Sequence, residues 1–478
     1  MTVSNGSYAA SGVQLRVVAI ADADSFVKWS AALLDSVRGI HRHMLLVRTP
    51  LTVSPEQEHM ALAGTSIGGA SVSRVDFDEV GGWLRRHGPD VVVLAGRGPF
   101  VRLIARVIDG LVHRPVVVSG LPGMSIPAQR GALAYRRESD LLVLHSHREI
   151  RAFEQLGDRL GMPVPLALAT LPYARTATSA GTVAHRRTRG TGAERRAGAG
   201  DERMPRGGVA VAERARRSTD VIGTDLVFAA QALVPAERHE REALVDILRR
   251  AAEARPDRRV VVKLRSRPGE AETHLERDAY AELLADRPAN LVLSYEPMAL
   301  ALSRAEGLVT VSSTAAVEAI ARGIPVIALD TFGVEKPLLN TVFVGSGLLG
   351  DADDVVARRF RHPDREWMND NYFHPASDSD WWERVQELVL LRRGGVLPAK
   401  VVPTGRGGAL HAAWHRKSVL GAQDGSLVGS VALGIGAPLV QGILGMRRAR
   451  GRAGADTWAD ATTDYTLEPT PHKDPVRR

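Results

Sequence analysis

The chain has 478 residues, 44% of them hydrophobic and 24% charged, too many for one ordinary core and enough for two domains with extensions. It contains no cysteine, which excludes disulfides, thiolate zinc sites and cysteine nucleophiles and suits a reducing compartment. The net charge of +8 is concentrated: ten arginines stand against four acids between His185 and Arg217, a surplus of six, so the remainder is close to neutral and lacks the basic face of a globular nucleic-acid binder.

Residues 1–13 are polar and read as a disordered start, without the charged and apolar regions of a signal peptide. From 14 to 174 the pattern is that of a Rossmann-like α/β domain. Buried-strand runs occur at Gln14 to Asp22, His43 to Val47, Asp90 to Ala95, Pro115 to Ser119 and Asp140 to His145, with helical segments between them. Such alternation predicts a doubly wound parallel sheet. Asp22 and Asp24 follow the first strand, where a carboxylate can act as a general base or simply cap a helix. Gly96-Arg97-Gly98 lacks the last glycine of a dinucleotide fingerprint and a suitably placed ribose acid, so no NAD site is expected. The turn-rich loop Ser119 to Met124 should border a cleft. His145 ends a strand and is a candidate catalytic or acceptor-binding imidazole; the plainer reading of the segment is a helix capped by Ser146 beside two partly exposed histidines, His145 and His147.

Residues 175–222 turn to Arg, Gly, Ala, Thr and Ser and predict a basic, disordered tether. Residues 223–345 read as a second Rossmann-like domain, with a strand at Asp225 to Gln231 and an amphipathic helix from Glu237 to Ala254. The buried strand Val260 to Leu264 runs into Arg265-Ser266-Arg267-Pro268-Gly269, so Lys263, Arg265 and Arg267 form a candidate anion clamp at a strand's carboxyl end, the alternative being a solvated basic loop. From Val309 to Asp330 an apolar run, a hydroxyl cluster (Ser312, Ser313, Thr314), an Ala-rich helix closed by Gly323 and a run opened by Pro325 spell a βαβ unit. In such a unit the N–H groups of the helix start and the adjacent hydroxyls suit a phosphate, and Glu318, one turn later, suits the hydroxyls of a ribose. Read structurally, Ser313 is an N-cap and Gly323 a C-cap.

Glu318-Ala319-x-Ala321-x-Gly323-x-Pro325-Val326 resembles the donor-site signature of the GT-B glycosyltransferase superfamily. The resemblance implies that the Ser/Thr cluster and helix start bind the donor's phosphates and that Glu318 holds the nucleotide ribose. Phe228-Ala229-Ala230-Gln231, Lys263-Leu264-Arg265, Pro268-Gly269-Glu270 and Thr273-His274 are similar to a group of uncharacterised actinobacterial glycosyltransferases, over residues 14 to 393 apart from the tether. Two departures bear on chemistry. Arg267-Pro268 stands where some sialyl- and polysaccharide-transferase-like members have His-Pro, which speaks against a CMP-sugar donor. Thr310 stands where retaining members carry the first Glu of a pair, which points toward inversion.

Residues 346–400 predict a crossover and a C-terminal helix, whose Trp381, Trp382, Val385, Leu388 and Leu391 fall at core spacing for packing back on the first domain. Residues 401–478 read as a mostly disordered tail. Its apolar run from Leu427 to Met446 is interrupted by glycines, Pro438 and Gln441, so a membrane span is not expected and a weak interfacial segment is the functional alternative to disorder. Together these features predict a cytoplasmic, metal-independent and cofactor-free glycosyltransferase, its basic linker or tail able to touch the inner membrane face. Its partners would be a nucleotide-sugar donor and a glycan or lipid-linked acceptor, with no specific nucleic acid. The competing expectations are a nucleotide-sugar 2-epimerase of the same fold and a non-catalytic envelope-assembly protein.

Overall fold

A computed structural model gives the arrangement of residues 14–51, 53–174, 223–264, 278–397 and 408–425. Seven strands and six helices alternate in the first domain: β1 (Leu15–Ala21), α1 (Asp24–Asp35), β2 (Ile40–Val47), α2 (Pro55–Leu62), β3 (Val72–Val75), α3 (Phe77–His87), β4 (Val91–Ala95), α4 (Gly98–Asp109), β5 (Val116–Gly120), α5 (Arg130–Ala134), β6 (Leu141–Leu144), α6 (His147–Leu160) and β7 (Leu166–Leu168). The central strands are continuous apolar runs because helices cover both faces, leaving no solvent side on which polar residues could alternate. All residues of β4, Val91 to Ala95, are buried. Helix boundaries follow local chemistry. Ser54 and Gln57 form a capping box at α2, Gly88 closes α3 in the left-handed conformation, and the Ser146 hydroxyl accepts from the Glu149 N–H at the start of α6.

The second domain contains β8 (Asp225–Ala229), α7 (Arg238–Ala254), β9 (Val260–Lys263), α8 (Tyr280–Leu283), β10 (Leu291–Ser294), α9 (Met298–Leu302), β11 (Ala305–Thr310), α10 (Ala315–Ala321), β12 (Val326–Leu329) and β13 (Leu349–Gly350). The chain continues through α11 (Ala352–Val356), α12 (Arg365–Asp370), α13 (Trp381–Arg393) and α14 (Gly408–Leu420). The sheet orders are β3-β2-β1-β4-β5-β6-β7 and β10-β9-β8-β11-β12-β13, with every strand pair parallel. Both domains are therefore doubly wound, as expected. In each sheet the order reverses beside the first strand, between β1 and β4 and between β8 and β11, and crevices for ligands form at the carboxyl ends of strands at such points.

Packing joins the two halves. Ile126, Ala152 and Leu171 of the first domain share a buried cluster with Val317, Trp367 and Tyr372. Helix α13 returns to the first domain, where Trp381, Val385 and Val389 pack with Trp29, Val116 and Val118. Among the described residues no helix is long and apolar enough to cross a membrane. The expected tether at 175–222 and the apolar run at 427–446 lie outside the described residues.

Candidate active site

The reversal point of the first sheet is occupied by Asp22, directly after β1, and by Gly96 and Arg97, directly after β4. Asp22 is 1% exposed, and neither carboxylate oxygen has a hydrogen-bond partner. Burial pushes its pKa up to about 7, against the pull of the Arg97 guanidinium 3.9 Å from Oδ2. Asp24, two residues on, is the acidic residue of the first turn of α1 and is half-buried. Two carboxylates, one of them protonatable near neutral pH, thus stand at the cleft edge of the first domain.

At the reversal point of the second sheet, Gln231 after β8 reaches the turn after β11. Its side-chain oxygen accepts from Ser312 N at 2.9 Å, and its amide nitrogen donates to Ser312 Oγ at 3.1 Å. Thr310 Oγ1 accepts from Ser313 N at 2.9 Å, and Ser313 Oγ accepts from Ala315 N at 3.2 Å. The hydroxyls of Thr310 and Ser313 therefore satisfy backbone N–H groups of this turn, a use that sequence spacing does not distinguish from anion binding. A phosphate at this turn would replace some of these internal bonds. The sequence reading placed Gln231 at the end of a strand and in the motif Phe228 to Gln231 but did not assign it to the site. Helix α10 ends as the sequence indicates: Gly323 has φ of 73°, and Ile324 N donates to Ala319 O at 2.9 Å. Lys263 closes β9, is 8% exposed, and donates to the Leu264 carbonyl. Arg265 and Arg267 lie outside the described residues.

Glu318 is brought to the domain junction. Lys28 Nζ of α1 lies 3.2 Å from Glu318 Oε1 and 4.5 Å above the Tyr173 ring. Burial, with Glu318 and Asp24 nearby, raises the pKa of the Tyr173 hydroxyl. The loop after β5 meets the same helix start: a Cβ on Gly123 would stand 2.6 Å from Thr314 Oγ1, so glycine permits this approach. The structure thus gathers Asp24, Lys28, Tyr173, Thr314 and Glu318 at one seam.

His145 does not take part in that gathering as a free base. It is fully buried, its Nε2 accepts from Trp29 Nε1 at 2.8 Å, and its Nδ1 lies 2.8 Å from Ala169 O. Burial pushes its pKa down to about 4. Both nitrogens are engaged, so the ring is a neutral strut between α1 and β7 rather than a proton acceptor. Its neighbour Glu149 matters more than the sequence indicated. It is fully buried, and it accepts from Ser125 N at 2.7 Å, His145 N at 2.8 Å and Tyr372 Oη at 2.8 Å. Burial pushes its pKa up to about 7 against these donors. Among the described residues, His147, His374 and Asp378 are the group with metal-ligand chemistry.

Two doubly wound domains meeting at their ligand-binding edges define the GT-B-like class of α/β enzymes. The chain belongs to the family described as "Putative glycosyltransferase (DUF6716)", whose model matches residues 17–388, and it is thereby an enzyme of the glycosyltransferase class. No curated protein matches the chain. Similar solved structures include the UDP-GlcNAc 2-epimerase of Methanocaldococcus jannaschii in complex with UDP-GlcNAc and UDP, with 14% identity, TM-score 0.48, and coverage of 78% of this chain and 99% of that one. The Neisseria meningitidis UDP-GlcNAc 2-epimerase bound to UDP-GlcNAc is similar at 12% identity, TM-score 0.46, covering 79% and 100%. Arabidopsis thaliana UGT89C1 complexed with quercetin is similar at 12% identity, TM-score 0.46, covering 80% and 100%.

Proposed function

We propose that the chain transfers a sugar from a nucleotide-sugar to a hydroxyl of a cell-envelope glycan or lipid-linked acceptor, by inversion and without a metal ion. The observation that carries this reading is the family membership across residues 17–388. The donor would lie on the second domain, its phosphates at the turn Ser312-Ser313-Thr314 and its ribose on Glu318. Negative charge grows on the leaving nucleotide as the glycosidic bond breaks. Backbone N–H groups of that turn, Lys263, Arg265 and Arg267 would stabilise it. Asp22, with a pKa pushed up to about 7, is matched to removing the acceptor's proton at neutral pH, and Asp24 is the second candidate for that task. His145, with both nitrogens engaged, is left out of the chemistry. For the ribose to reach Glu318, Lys28 has to give up its contact; Lys28 is 45% exposed, and exchanging such a pair costs on the order of 1 kcal/mol or less.

The test has two parts. Thermal-shift measurements with UDP-, GDP-, CMP- and dTDP-sugars should identify one donor that raises the melting temperature, because a ligand that binds only the native state stabilises it. With that donor, nucleotide release that requires added acceptor supports transfer. Isomerised nucleotide-sugar without acceptor would establish epimerisation instead, and no stabilisation by any of these donors would overturn the proposed donor class.

A further inference from the structure

We propose that His147, His374 and Asp378 bind one divalent transition-metal ion of the zinc type, which clips the 374–378 segment to the start of α6. One ligand atom from each residue lies within 4.8 Å of the other two. His147 Nε2 and Asp378 Oδ2 are already 3.0 Å apart, and the rings of His147 and His374 meet edge to face at 5.3 Å. Tetrahedral zinc with bonds near 2.0–2.1 Å places its ligand atoms about 3.3 Å apart, so separations of up to 4.8 Å have to shorten by at most about 1.5 Å.

The state of His374 points to a ligand. The residue is 4% exposed, and its Nδ1 lies 3.1 Å from Pro375 O, which holds a proton on that nitrogen. Its Nε2 is buried without a hydrogen-bond partner; the His145 carbonyl lies beside the ring but makes no bond of proper geometry to that atom. A buried, unpartnered nitrogen is costly, and a metal ion would use its lone pair. Two imidazoles and one carboxylate suit zinc, cobalt or nickel better than magnesium or calcium, and three protein ligands leave a fourth position for water. The segment is held on both sides: Arg151 makes a two-pronged pair with Asp370 at 2.8 and 2.7 Å, and Asp380 Oδ1 accepts from Leu168 N at 2.7 Å. The ion would therefore complete a frame that needs little ordering. None of the three residues is among those assigned to the donor, so the proposal does not depend on the donor reading.

The test uses the full-length chain, free of affinity tags, stripped with EDTA, dialysed, and titrated with zinc chloride while heat and metal content are measured. The expected result is one zinc per chain and a raised melting temperature. The chain has 15 histidines, so the location of the ion must be established by variants. His147→Gln and Asp378→Asn change partly exposed side chains and are expected to fold; each should weaken zinc binding by on the order of 100-fold and abolish the thermal shift. Cobalt substituted for zinc should give the visible absorption of a tetrahedral site in the wild type and none in the variants. Substoichiometric zinc in the wild type, or unchanged affinity in both variants, would overturn the site.

Discussion

Both carboxylate oxygens of Asp22 are buried without a hydrogen-bond partner, and the Arg97 guanidinium 3.9 Å away only partly offsets this, so ionising the group opposes folding. The unfolded chain ionises it near its ordinary value of 3.8, whereas the folded chain holds the proton up to about 7. Between those values the native state binds more protons than the unfolded state, and stability falls as pH rises through that window. Glu149, pushed up to about 7 by burial, acts in the same direction. Asp22→Asn removes one of the two contributions. It should be more stable than the wild type at pH 8, by roughly 2–4 kcal/mol, with the gain vanishing near pH 4. Denaturant melts at the two pH values check this, and an equal gain at both would mean that Asp22 is not the titrating group. The same variant should lose on the order of 10²–10⁴-fold in kcat if Asp22 is the base. Glu318→Gln tests the donor side. Its partner Lys28 is largely exposed, so folding should survive, while donor affinity falls by roughly 1.5–3 kcal/mol through lost charge-assisted bonds. Unchanged donor binding by calorimetry would remove the ribose assignment.

Helix α10 and the loop after β5 act as one contact element because Gly123 has no side chain. Adding Cβ there would place carbon 2.6 Å from Thr314 Oγ1, but 3.7 Å from the Thr314 Cβ. Gly123→Ala should therefore destabilise the seam by about 1–3 kcal/mol. Thr314→Ala removes the clashing oxygen, so the double variant should be close in stability to Thr314→Ala alone. The cycle measured by chemical denaturation should show that coupling, and strict additivity would mean that the seam opens freely in solution. At the level of elements the sequence was informative where a cap or strand is local. The run Val91 to Ala95, the Ser146 cap and the Gly323 turn each depend on a few neighbouring residues. Strands β3, β7 and β10 gave no such signal: they have three or four residues each, and β3 carries the exposed Arg74, so no apolar run is long enough to mark them.

Polar groups bridge the two domains beside the shared apolar cluster. Arg148 is 4% exposed and donates to Val342 O at 3.0 Å and Thr341 O at 3.1 Å, across the junction. Arg148→Met keeps most of the packing and removes two charge-assisted bonds, while Val342 O still accepts from Trp367 Nε1 and Thr341 O from Val344 N, so the cost is about 1.5–3 kcal/mol per lost bond. Calorimetry should then resolve two unfolding transitions in place of one, since each domain has its own core clusters. A single transition at the wild-type midpoint would show that the apolar contacts alone hold the domains.

The sequence by itself determined the class of architecture, because strands covered by helices on both faces must be continuous apolar runs and the helices between them must carry one apolar stripe. It also offered candidate site residues at two strand ends, Asp22 and Ser312 to Glu318. Tertiary structure alone decided what those residues touch. The partners Gln231 and Ser312 are 81 positions apart, Trp29 and His145 are 116 apart, Glu149 and Tyr372 are 223 apart, and Lys28 and Glu318 are 290 apart. Local periodicity records only which face of an element is buried. Whether an imidazole at a strand end is a base or a strut, and whether a carboxylate faces solvent or a lysine, depends on how distant elements dock, and the spacing of neighbouring residues does not encode that.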